Sequence, residues 1–356
     1  MDYTELLQHS PYSWAQAEKE ERILPLLQDL TNWHRQQCPK YGRALKLLDQ
    51  VQGGYPTIDT IPFLPIRLFK QQSLQSIPDK DIFKTITSSG TSGQGRSYIV
   101  LDAQTAQNQQ LTLYAIMKSF FGKQRLPMLI VDAPSVFRDR AAFNARGAAI
   151  LGFSLFAKKK FYALTDTMDV DTASLNAFAQ YAEKQPVLIF GFTFMIWKYL
   201  CEALKTQGYA YDFSNAIVLH GGGWKKMADQ AVSARTYKQR LYEQFHIRRV
   251  HNYYGMAEQT GCIYMECEYG HLHASIFSDV LIRNPADFSV CPPGQTGIIQ
   301  VLSPIAASYP GHSILTEDMG AIEGIDDCPC GRKGTYFRII GRIPQAEIKG
   351  CSDTHE

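Results

Sequence analysis

The chain has 356 residues, of which 45% are hydrophobic and 20% are charged, and its formal net charge is +2. This composition is that of a globular protein and excludes a disordered chain, and so small a net charge gives no electrostatic signal for nucleic acid or a membrane surface. We expect no membrane span, because the longest apolar run, "VLIFGFTFMIW" at 187–197, is too short to cross a bilayer.

The first residues, "MDYTELLQHSPYSW", lack the basic and then apolar plan of a secretory signal. Eight cysteines in such a chain favour free thiols or metal ligands over a disulfide framework. We therefore expect a soluble, cytoplasmic protein.

Residues 1–60 are predicted to form an N-terminal helical segment. Ser13 and Gln16 have the spacing of a capping box, at the start of an amphipathic stretch that runs to about Cys38. Three prolines between 53 and 69 predict an irregular connector, and Asp102 is a predicted N-cap for a helix that runs to about Phe121.

Residues 61–261 are predicted to form an α/β core. Buried strands are expected within "LPMLIVDAPS", "QPVLIFGF" and "NAIVLHGGG", and helices at 172–184, 193–206 and 224–244. Such alternation indicates a parallel sheet covered by helices. The basic run at 158–160 is expected to be a solvated loop.

The sequence pattern changes at about residue 262. Strand-like segments with Pro/Gly turns predict a smaller, mostly β subdomain over 262–343, followed by a short tail at 344–356 that carries Cys351.

One stretch, "TSSGTSGQGR" at 87–96, has little apolar surface to bury. It is either a flexible surface loop or a phosphate cradle, in which glycines admit backbone N–H groups to an anion, hydroxyls add donors and a cation completes the site. It is not a Walker A loop, because no Gly-Lys-Ser/Thr follows at the required spacing.

Three later segments are weaker signals. Each fits either ordinary packing or a ligand site: "HGGGW" follows a strand, "HNYYGMAE" places aromatics and Gly255 before Glu258, and "LTEDMG" predicts an acidic turn at Asp318. The segment "RIIGR" ends a predicted strand with Arg342, whose guanidinium could reach a phosphate.

The cysteines and histidines near the C-terminus suggest a metal site. Thiolate and imidazole ligands suit a closed, structural zinc site, and the expected ligands are Cys267, His273, Cys328 and Cys330. Cys262 and His271 remain alternative ligands, and reduced thiols without a metal remain the other interpretation.

The four segments occur in an order and spacing that resemble the adenylate-forming superfamily over roughly residues 60–350. The resemblance is closest to the LuxE-type acyl-protein synthetase family, with phenylacetate-CoA ligases as relatives. It implies the superfamily's large N-terminal domain, with helix-covered sheets and a small β subdomain. The C-terminal lid domain of the superfamily is expected to be absent, since the sequence ends soon after "GRIPQAEIKGCSDTHE".

The resemblance also implies roles for individual residues. The phosphate loop would contain Ser88, Ser89, Gly90, Thr91, Ser92 and Gly93, and Arg96 would stand where the superfamily usually has lysine. Glu258 would bind Mg²⁺, and Asp318 and Arg342 would lie at the ribose and phosphates. The adenine and acyl clefts would be lined by Gly221, Gly222, Gly223, Tyr253, Tyr254 and Gly255.

The implied activity is ATP-dependent conversion of a carboxylic acid, in the first place a fatty acid, to acyl-AMP. The acyl group would pass to the thiol of Cys351 and then to a reductase, another acyl-accepting protein or an acyl-carrier protein. Two alternatives remain open: an acyl-CoA ligase of the phenylacetate-CoA ligase type, and a non-catalytic nucleotide-binding subunit.

Overall fold

A computed structural model describes residues 3–48, 54–87, 97–137, 145–224 and 230–343. These residues form two compact units: the first contains those up to Phe120 and those from Gly255 to Ile343, and the second contains those within Phe121–Tyr254. The domain boundaries that composition predicts at 60, 261 and 343 remain a prediction. No helix in the described ranges combines the length and apolar character that a bilayer span requires.

The helices and strands follow in chain order. The helices are α1 (Tyr3–Leu6), α2 (Gln16–Gln37), α3 (Pro39–Leu47), α4 (Leu68–Gln71), α5 (Ala103–Phe121), α6 (Ala145–Phe153), α7 (Thr172–Ala182), α8 (Thr193–Met195), α9 (Ala203–Thr206) and α10 (Ala234–Phe245). The strands are β1 (Leu64–Pro65), β2 (Lys84–Thr87), β3 (Tyr98–Leu101), β4 (Leu126–Ile130), β5 (Ala157–Tyr162), β6 (Val187–Phe192), β7 (Ala216–Gly221), β8 (Arg249–Tyr254), β9 (Tyr264–Glu266), β10 (Leu272–His273), β11 (Asp279–Arg283), β12 (Gly297–Leu302), β13 (Ser313–Ile325) and β14 (Thr335–Arg342).

The second unit is built on a parallel sheet. Its strands lie in the order β5-β4-β6-β7-β8, and every neighbouring pair is parallel. All residues of β4, β6 and β7 are buried, as expected for strands covered on both faces. The prediction of a parallel, helix-covered sheet is confirmed for this unit.

The basic run of this unit is a strand and not the predicted loop. Lys158, Lys159 and Lys160 lie on β5 at the edge of the sheet, and all three are exposed. Lysines on an edge strand oppose pairing with another chain, because their charge would have to be desolvated. The prediction that the three lysines are solvated is therefore correct, but the segment is a strand because it pairs with β4.

The first unit is mainly antiparallel. Its sheet has the order β11-β12-β13-β14-β10-β9, and β1 adds to β13 in parallel. Strands β2 and β3 form a separate antiparallel hairpin. Helix α2 buries Ile23 and Leu27 in a cluster with Tyr55, Ile58 and Leu302. The β character predicted for 262–343 is confirmed.

The two predicted helix starts have different outcomes. Asp102 caps α5 as predicted, because its carboxylate accepts a hydrogen bond from the Thr105 amide at 2.6 Å. The capping box predicted at Ser13 is wrong: α2 begins at Gln16 after Ala15, and the Ser13 hydroxyl donates to the carbonyl of Ser10. The acceptor for the Gln16 amide is the carboxylate of Asp326, at 2.9 and 3.1 Å from its two oxygens.

Candidate active site and metal centre

Two sets of predicted site residues lie outside the described residues. They are the phosphate-loop residues Ser88, Ser89, Gly90, Thr91, Ser92, Gly93 and Arg96, and the tail residue Cys351. The flanks of the loop segment are described: Thr87 ends β2, Tyr98 begins β3, and these two residues are paired across the hairpin.

Glu258 is a buried carboxylate in the first unit. It lies on a 3₁₀ turn, Ala257–Gln259, and is 4% exposed. Burial raises the pKa of Glu258, whereas a hydrogen bond from Ser97 and the charge of Lys70 lower it. Ser97 directly follows Arg96, so the structure brings Glu258 to the end of the predicted phosphate loop.

The backbone around Glu258 is fixed by its neighbours. The Tyr309 hydroxyl donates to the Glu258 carbonyl at 2.8 Å, and the Gln259 side-chain amide donates to the carbonyl of Gly311 at 2.9 Å. A Cβ on Gly311 would lie 2.8 Å from the Glu258 carbonyl oxygen. The carboxylate is therefore held on a turn that cannot shift without disturbing buried hydrogen bonds.

Asp318 and Arg342 face each other across neighbouring strands. They are register partners on β13 and β14, and the Arg342 Nε lies 3.3 Å from an Asp318 carboxylate oxygen. The predicted acidic turn at Asp318 is wrong, because β13 continues through it: Asp318 pairs with β14, although the pairing of β13 with β12 is irregular at this point and resumes at Met319. The sheet thus joins the two residues expected at the ribose and phosphates. The neighbouring Glu317 is paired with Arg67.

The glycine turn after β7 is shaped by tight contacts in the second unit. Gly221 is the register partner of Tyr253 on β8, and a Cβ at Gly221 would overlap the Tyr253 ring. Gly222 has a φ of +72° and would bring a Cβ to 3.0 Å from the Phe192 ring. Both positions require glycine, one for space and one for backbone conformation.

The side chain of Thr193 holds the glycine turn after β7 by hydrogen bonds. Its hydroxyl donates to the Gly222 carbonyl at 2.8 Å and lies 2.9 Å from the His220 Nδ1. Burial lowers the pKa of His220 to about 3, reinforced by Lys238 and His251, so the imidazole is neutral. Its ring packs on Tyr237 with a centroid separation of 4.7 Å. The aromatics Phe192 and Trp197 belong to the apolar core.

The Cys/His group predicted from the sequence comes together in the first unit. The ligand atoms of Cys267, His273, Cys328 and Cys330 all lie within 4.8 Å of one another. Cys267 follows β9, His273 ends β10, and the other two cysteines lie on the β13–β14 connection. The pairing of β10 with both β9 and β14 brings these loops together.

The distances fit tetrahedral zinc. The Cys267 and Cys328 sulfurs are 3.9 Å apart, and the Cys330 sulfur lies 3.4 Å from the His273 Nε2. At ordinary bond lengths, two thiolates on tetrahedral zinc are ~3.8 Å apart, and a thiolate and an imidazole nitrogen are ~3.6 Å apart. Burial lowers the pKa of His273 to about 4, which keeps the imidazole neutral, as a metal ligand must be.

The alternative ligands are placed differently. His271 has its Nδ1 3.3 Å from the Cys328 sulfur, but its ring stacks on Tyr336 and its Nε2 faces Glu323 at 3.8 Å. The Cys262 thiol donates to the Phe277 carbonyl at 3.5 Å. Neither residue belongs to the group of four.

Comparison with known proteins gives the family. The family model "Acyl-protein synthetase, LuxE" matches residues 2–356. The chain belongs to the LuxE acyl-protein synthetase family. It is therefore an ATP-dependent ligase of the acyl-adenylate-forming kind, and the resemblance drawn from the sequence is confirmed.

Individual LuxE-type relatives agree over nearly the whole chain. The long-chain-fatty-acid–luciferin-component ligase of Aliivibrio fischeri is 23% identical over 349 residues, which cover 96% of this chain and 90% of that protein. The Vibrio harveyi ligase of the same name is 23% identical over 362 residues, covering 96% and 89%.

Among solved structures, an open conformation of a 2-hydroxyisobutyryl-CoA ligase, in complex with 2-HIB-AMP and CoA, superposes with a TM-score of 0.70. The sequences are 18% identical, and the match covers 94% of this chain and 77% of the other. At this identity the match concerns the fold alone, and it confirms the predicted α/β fold of adenylate-forming ligases.

Sequence reasoning missed three residues that shape these sites. Ser97 could have been found by extending the Ser/Thr/Gly run past Arg96. Lys70 and Thr193 lie in segments without a local signal, because their roles arise only from contacts with residues far along the chain.

Proposed function

We propose that this LuxE-family ligase converts a fatty acid to acyl-AMP and then transfers the acyl group to its own thiol, Cys351. The fatty substrate is supported by the names of the two bacterial relatives. The observation that carries the adenylation site is the burial of the Glu258 carboxylate, 4% exposed, on a turn whose pKa environment includes Ser97, the residue that follows the predicted phosphate loop.

In the first step a carboxylate oxygen attacks the α-phosphorus of ATP, and pyrophosphate leaves. The loop Ser88–Gly93 and Arg96 would hold the phosphates, and Glu258 would hold Mg²⁺, which would supply positive charge to neutralise the phosphates. Asp318 accepts hydrogen bonds from the ribose hydroxyls, and Arg342, which already neutralises Asp318, lies at the ribose or phosphates.

The remaining nucleotide contacts are assigned to residues of the second unit and to Gly255, which directly follows it in sequence. We propose that Tyr253 and Tyr254 flank the adenine, and that the turn at Gly221–Gly223 with Gly255 lines the adenine and acyl clefts. The rigidity of this turn supports the assignment, because a preformed surface binds without an ordering cost.

In the second step the Cys351 thiolate attacks the acyl carbonyl carbon, the bond to the AMP phosphate breaks, and AMP leaves. A thioester to the protein forms, and the thiol proton passes to solvent. The acyl group then moves to an acyl-accepting or reductase partner, or to an acyl-carrier protein.

The first step is tested by ATP–pyrophosphate exchange with acids from acetate to myristate and one aromatic acid. We expect exchange to be fastest with a long-chain acid. Glu258→Gln should slow exchange about a hundredfold, as loss of a transition-state charge contact does. Glu243→Gln, on an exposed helix face, is the matched control and should retain full exchange.

The second step is tested with radiolabelled acid and ATP. We expect labelled protein with the wild type and with Cys291→Ser, but not with Cys351→Ser, which should still catalyse exchange. If Cys351→Ser stays labelled, the thiol assignment is wrong. Acyl-CoA formation unaffected by that substitution would identify a CoA ligase, and ATP binding without exchange would identify a non-catalytic subunit.

We propose Zn²⁺ as the occupant of the Cys267, His273, Cys328 and Cys330 site. Four protein ligands leave no open position for substrate, so the metal has a structural role. Elemental analysis should find one zinc per chain in the wild type and in Cys291→Ser, and far less in Cys330→Ser. Equal zinc in all three proteins would contradict the assignment.

We place the enzyme in the cytoplasm. The seven cysteines among the described residues are all free of disulfides, although two of them have sulfurs only 3.9 Å apart. Thiols persist in this state in a reducing compartment. Fractionation of cells that express a tagged chain tests the location.

A further inference from the structure

The N-terminus of helix α2 is capped by a residue more than 300 positions away. Ala15, at the N-cap, offers no side-chain acceptor, and the Gln16 amide donates instead to the carboxylate of Asp326. An N-cap acceptor satisfies a backbone donor that the helix itself leaves unpaired. The start of α2 is therefore set by where Asp326 is held.

Asp326 is held by the loop that it begins. Its backbone has a φ of +62°, its amide donates to the Gly334 carbonyl at 3.1 Å, and its carboxylate accepts from the Gly334 amide at 2.6 Å. Residues 326–334 thus form a loop closed at its base. We call this segment the Cys-x-Cys loop, because it carries Cys328 and Cys330.

The Cys-x-Cys loop also contacts the chain around the start of α2. The Lys333 amide donates to the Tyr12 carbonyl at 3.2 Å, and the Thr335 amide donates to the Gln16 side-chain carbonyl at 3.1 Å. The guanidinium of Arg332 lies 4.1 Å from the centroid of the Phe120 ring. One face of the loop is therefore hydrogen-bonded to the N-terminal segment, and its two cysteines belong to the Cys/His group.

The loop is held by polar contacts and has no apolar core of its own: the Tyr336 hydroxyl donates to Asp327 at 2.9 Å, and Arg332 pairs with Glu268 at 3.0 Å. Its sequence, "DDCPCGRKG", has two glycines with positive φ and no aliphatic side chain to bury. Fixing a backbone costs roughly 1–2 kcal/mol of entropy per residue. A metal that joins Cys328 and Cys330 to Cys267 and His273 would remove that freedom before α2 docks.

What depends on the docking is a buried ion pair. Gln16 donates to Asp279 at 2.6 Å, and Lys19, one turn further along α2, pairs with the other Asp279 oxygen at 3.0 Å. Both charges are almost completely buried. Such a pair is favourable only in good geometry, so a shift of the first turn of α2 would expose or unpair it.

We propose that the metal centre is a latch for the N-terminal segment: the bound metal fixes the Cys-x-Cys loop, and Asp326 on that loop fixes the start of α2. The proposal rests on the zinc assignment above, and it adds a function for that zinc. Loss of the metal releases residues 3–19 while the parallel sheet of the second unit keeps its structure.

The latch is tested by amide hydrogen exchange followed by mass spectrometry, on the full chain with and without a zinc chelator. We expect chelation to speed exchange of the α2 N-terminal amides by at least roughly fivefold, the effect of a lost cap. Peptides from β6 and β7 should be unchanged. Restoring Zn²⁺ should restore the slow exchange.

Two variants separate the parts of the latch. Cys330→Ser should lose zinc and speed exchange at α2, whereas Asp326→Gly, which suits the positive φ, should speed exchange at α2 but keep its zinc. Cys291→Ser should change neither. A protein that holds zinc but exchanges equally at α2 after chelation refutes the latch alone, and a protein that binds no zinc refutes the metal assignment together with the latch.

Discussion

In the unit formed by residues 121–254, the helices contact the parallel sheet through apolar side chains. Leu175 and Phe178 of α7 and Leu241 and Phe245 of α10 are all completely buried in one cluster. Each unit also has a buried ion pair: Arg146 and Asp132 of the second unit are near each other in sequence, whereas Lys19 and Asp279 of the unit formed by residues 3–120 and 255–343 join distant segments. Apolar contacts tolerate changes that preserve volume, but buried charges require their partners.

The histidines of the first unit show the same pattern. His34 lies 2.7 Å from the Ser76 hydroxyl and 3.0 Å from the Ala306 carbonyl, and its ring stacks on His312 at 5.1 Å. His312 in turn lies 2.9 Å from the Thr31 hydroxyl. The two units should therefore fail under different perturbations, and the predictions below test that difference.

The largest effect is expected where a buried charge loses its partner. Lys19→Met keeps the length of the side chain but leaves the Asp279 carboxylate buried without its cation, which should lower the free energy of unfolding by about 3–5 kcal/mol. Urea denaturation followed by circular dichroism measures it. Glu18→Ala, in the exposed pair with Arg22, should change it by only about 0.5 kcal/mol. If both substitutions changed the free energy of unfolding equally, the buried pair would contribute no more to stability than the exposed one.

The counterpart in the second unit is a cavity. Leu241→Ala removes a completely buried side chain and should lower the free energy of unfolding by about 3 kcal/mol. Leu241→Met, which conserves volume, should cost less than about 1.5 kcal/mol. The same denaturation experiment compares the two. If Leu241→Met lowered the free energy of unfolding as much as Leu241→Ala does, the core of the second unit would not tolerate changes that preserve volume.

The sequence predicted the second unit better than the first, and the reason is physical. Every residue of β6 and β7 is buried, so each strand is a continuous apolar run that can be recognised from its own sequence. The Ser13 capping box failed because the better acceptor, Asp326, comes from the other end of the chain. Local patterns cannot show such a partner.

The candidate sites divide in the same way. The Cys/His group was predictable because ligand chemistry restricts the residue types, and its four members do converge. The Asp318 segment was predicted as a turn, since its acidic and glycine residues are typical of turns, whereas pairing with Arg342 on β14 continues the strand through it. The role of Thr193 depends on contacts across a long sequence separation and has no local pattern, whereas Ser97 extends the Ser/Thr/Gly run past Arg96.

Acid should destabilise both units, and the first more strongly. Burial lowers the pKa of His34 to about 3 and that of His312 well below its usual value; in the second unit it lowers the pKa of His220 to about 3. These histidines are neutral when folded, whereas in the unfolded chain they bind a proton near pH 6.5. Below that pH the unfolded state binds more protons, so stability falls by about 1.4 kcal/mol per pH unit for each histidine, down to about pH 3.

Urea denaturation at pH 7, 6 and 5 measures this slope. His34→Gln and His220→Gln should each reduce the pH dependence by about one proton, and His9→Gln, at an exposed position, should not. Hydrogen exchange at the same pH values should show the first unit losing protection sooner. A slope unchanged by either buried substitution would mean that these histidines are not the acid-sensitive groups.

The smallest effect is expected at the glycine turn of the second unit, where the polar contacts come from one uncharged hydroxyl, that of Thr193. Thr193→Val is close to isosteric but leaves the Gly222 carbonyl without the Thr193 hydroxyl, which should cost about 1–2 kcal/mol of stability. Thr193→Ser keeps the hydroxyl and should retain most of the stability.

Because the turn is proposed to contact the nucleotide, the KM for ATP in the exchange assay should rise about threefold to tenfold in the valine variant alone, with a smaller change in kcat. Thr206→Val, which removes an exposed hydroxyl bonded to the Glu202 carbonyl, is the matched control. If the valine variant loses stability but keeps its KM, Thr193 supports the fold and not the nucleotide contact, and the polar contacts of this unit would then be structural, like those of the first.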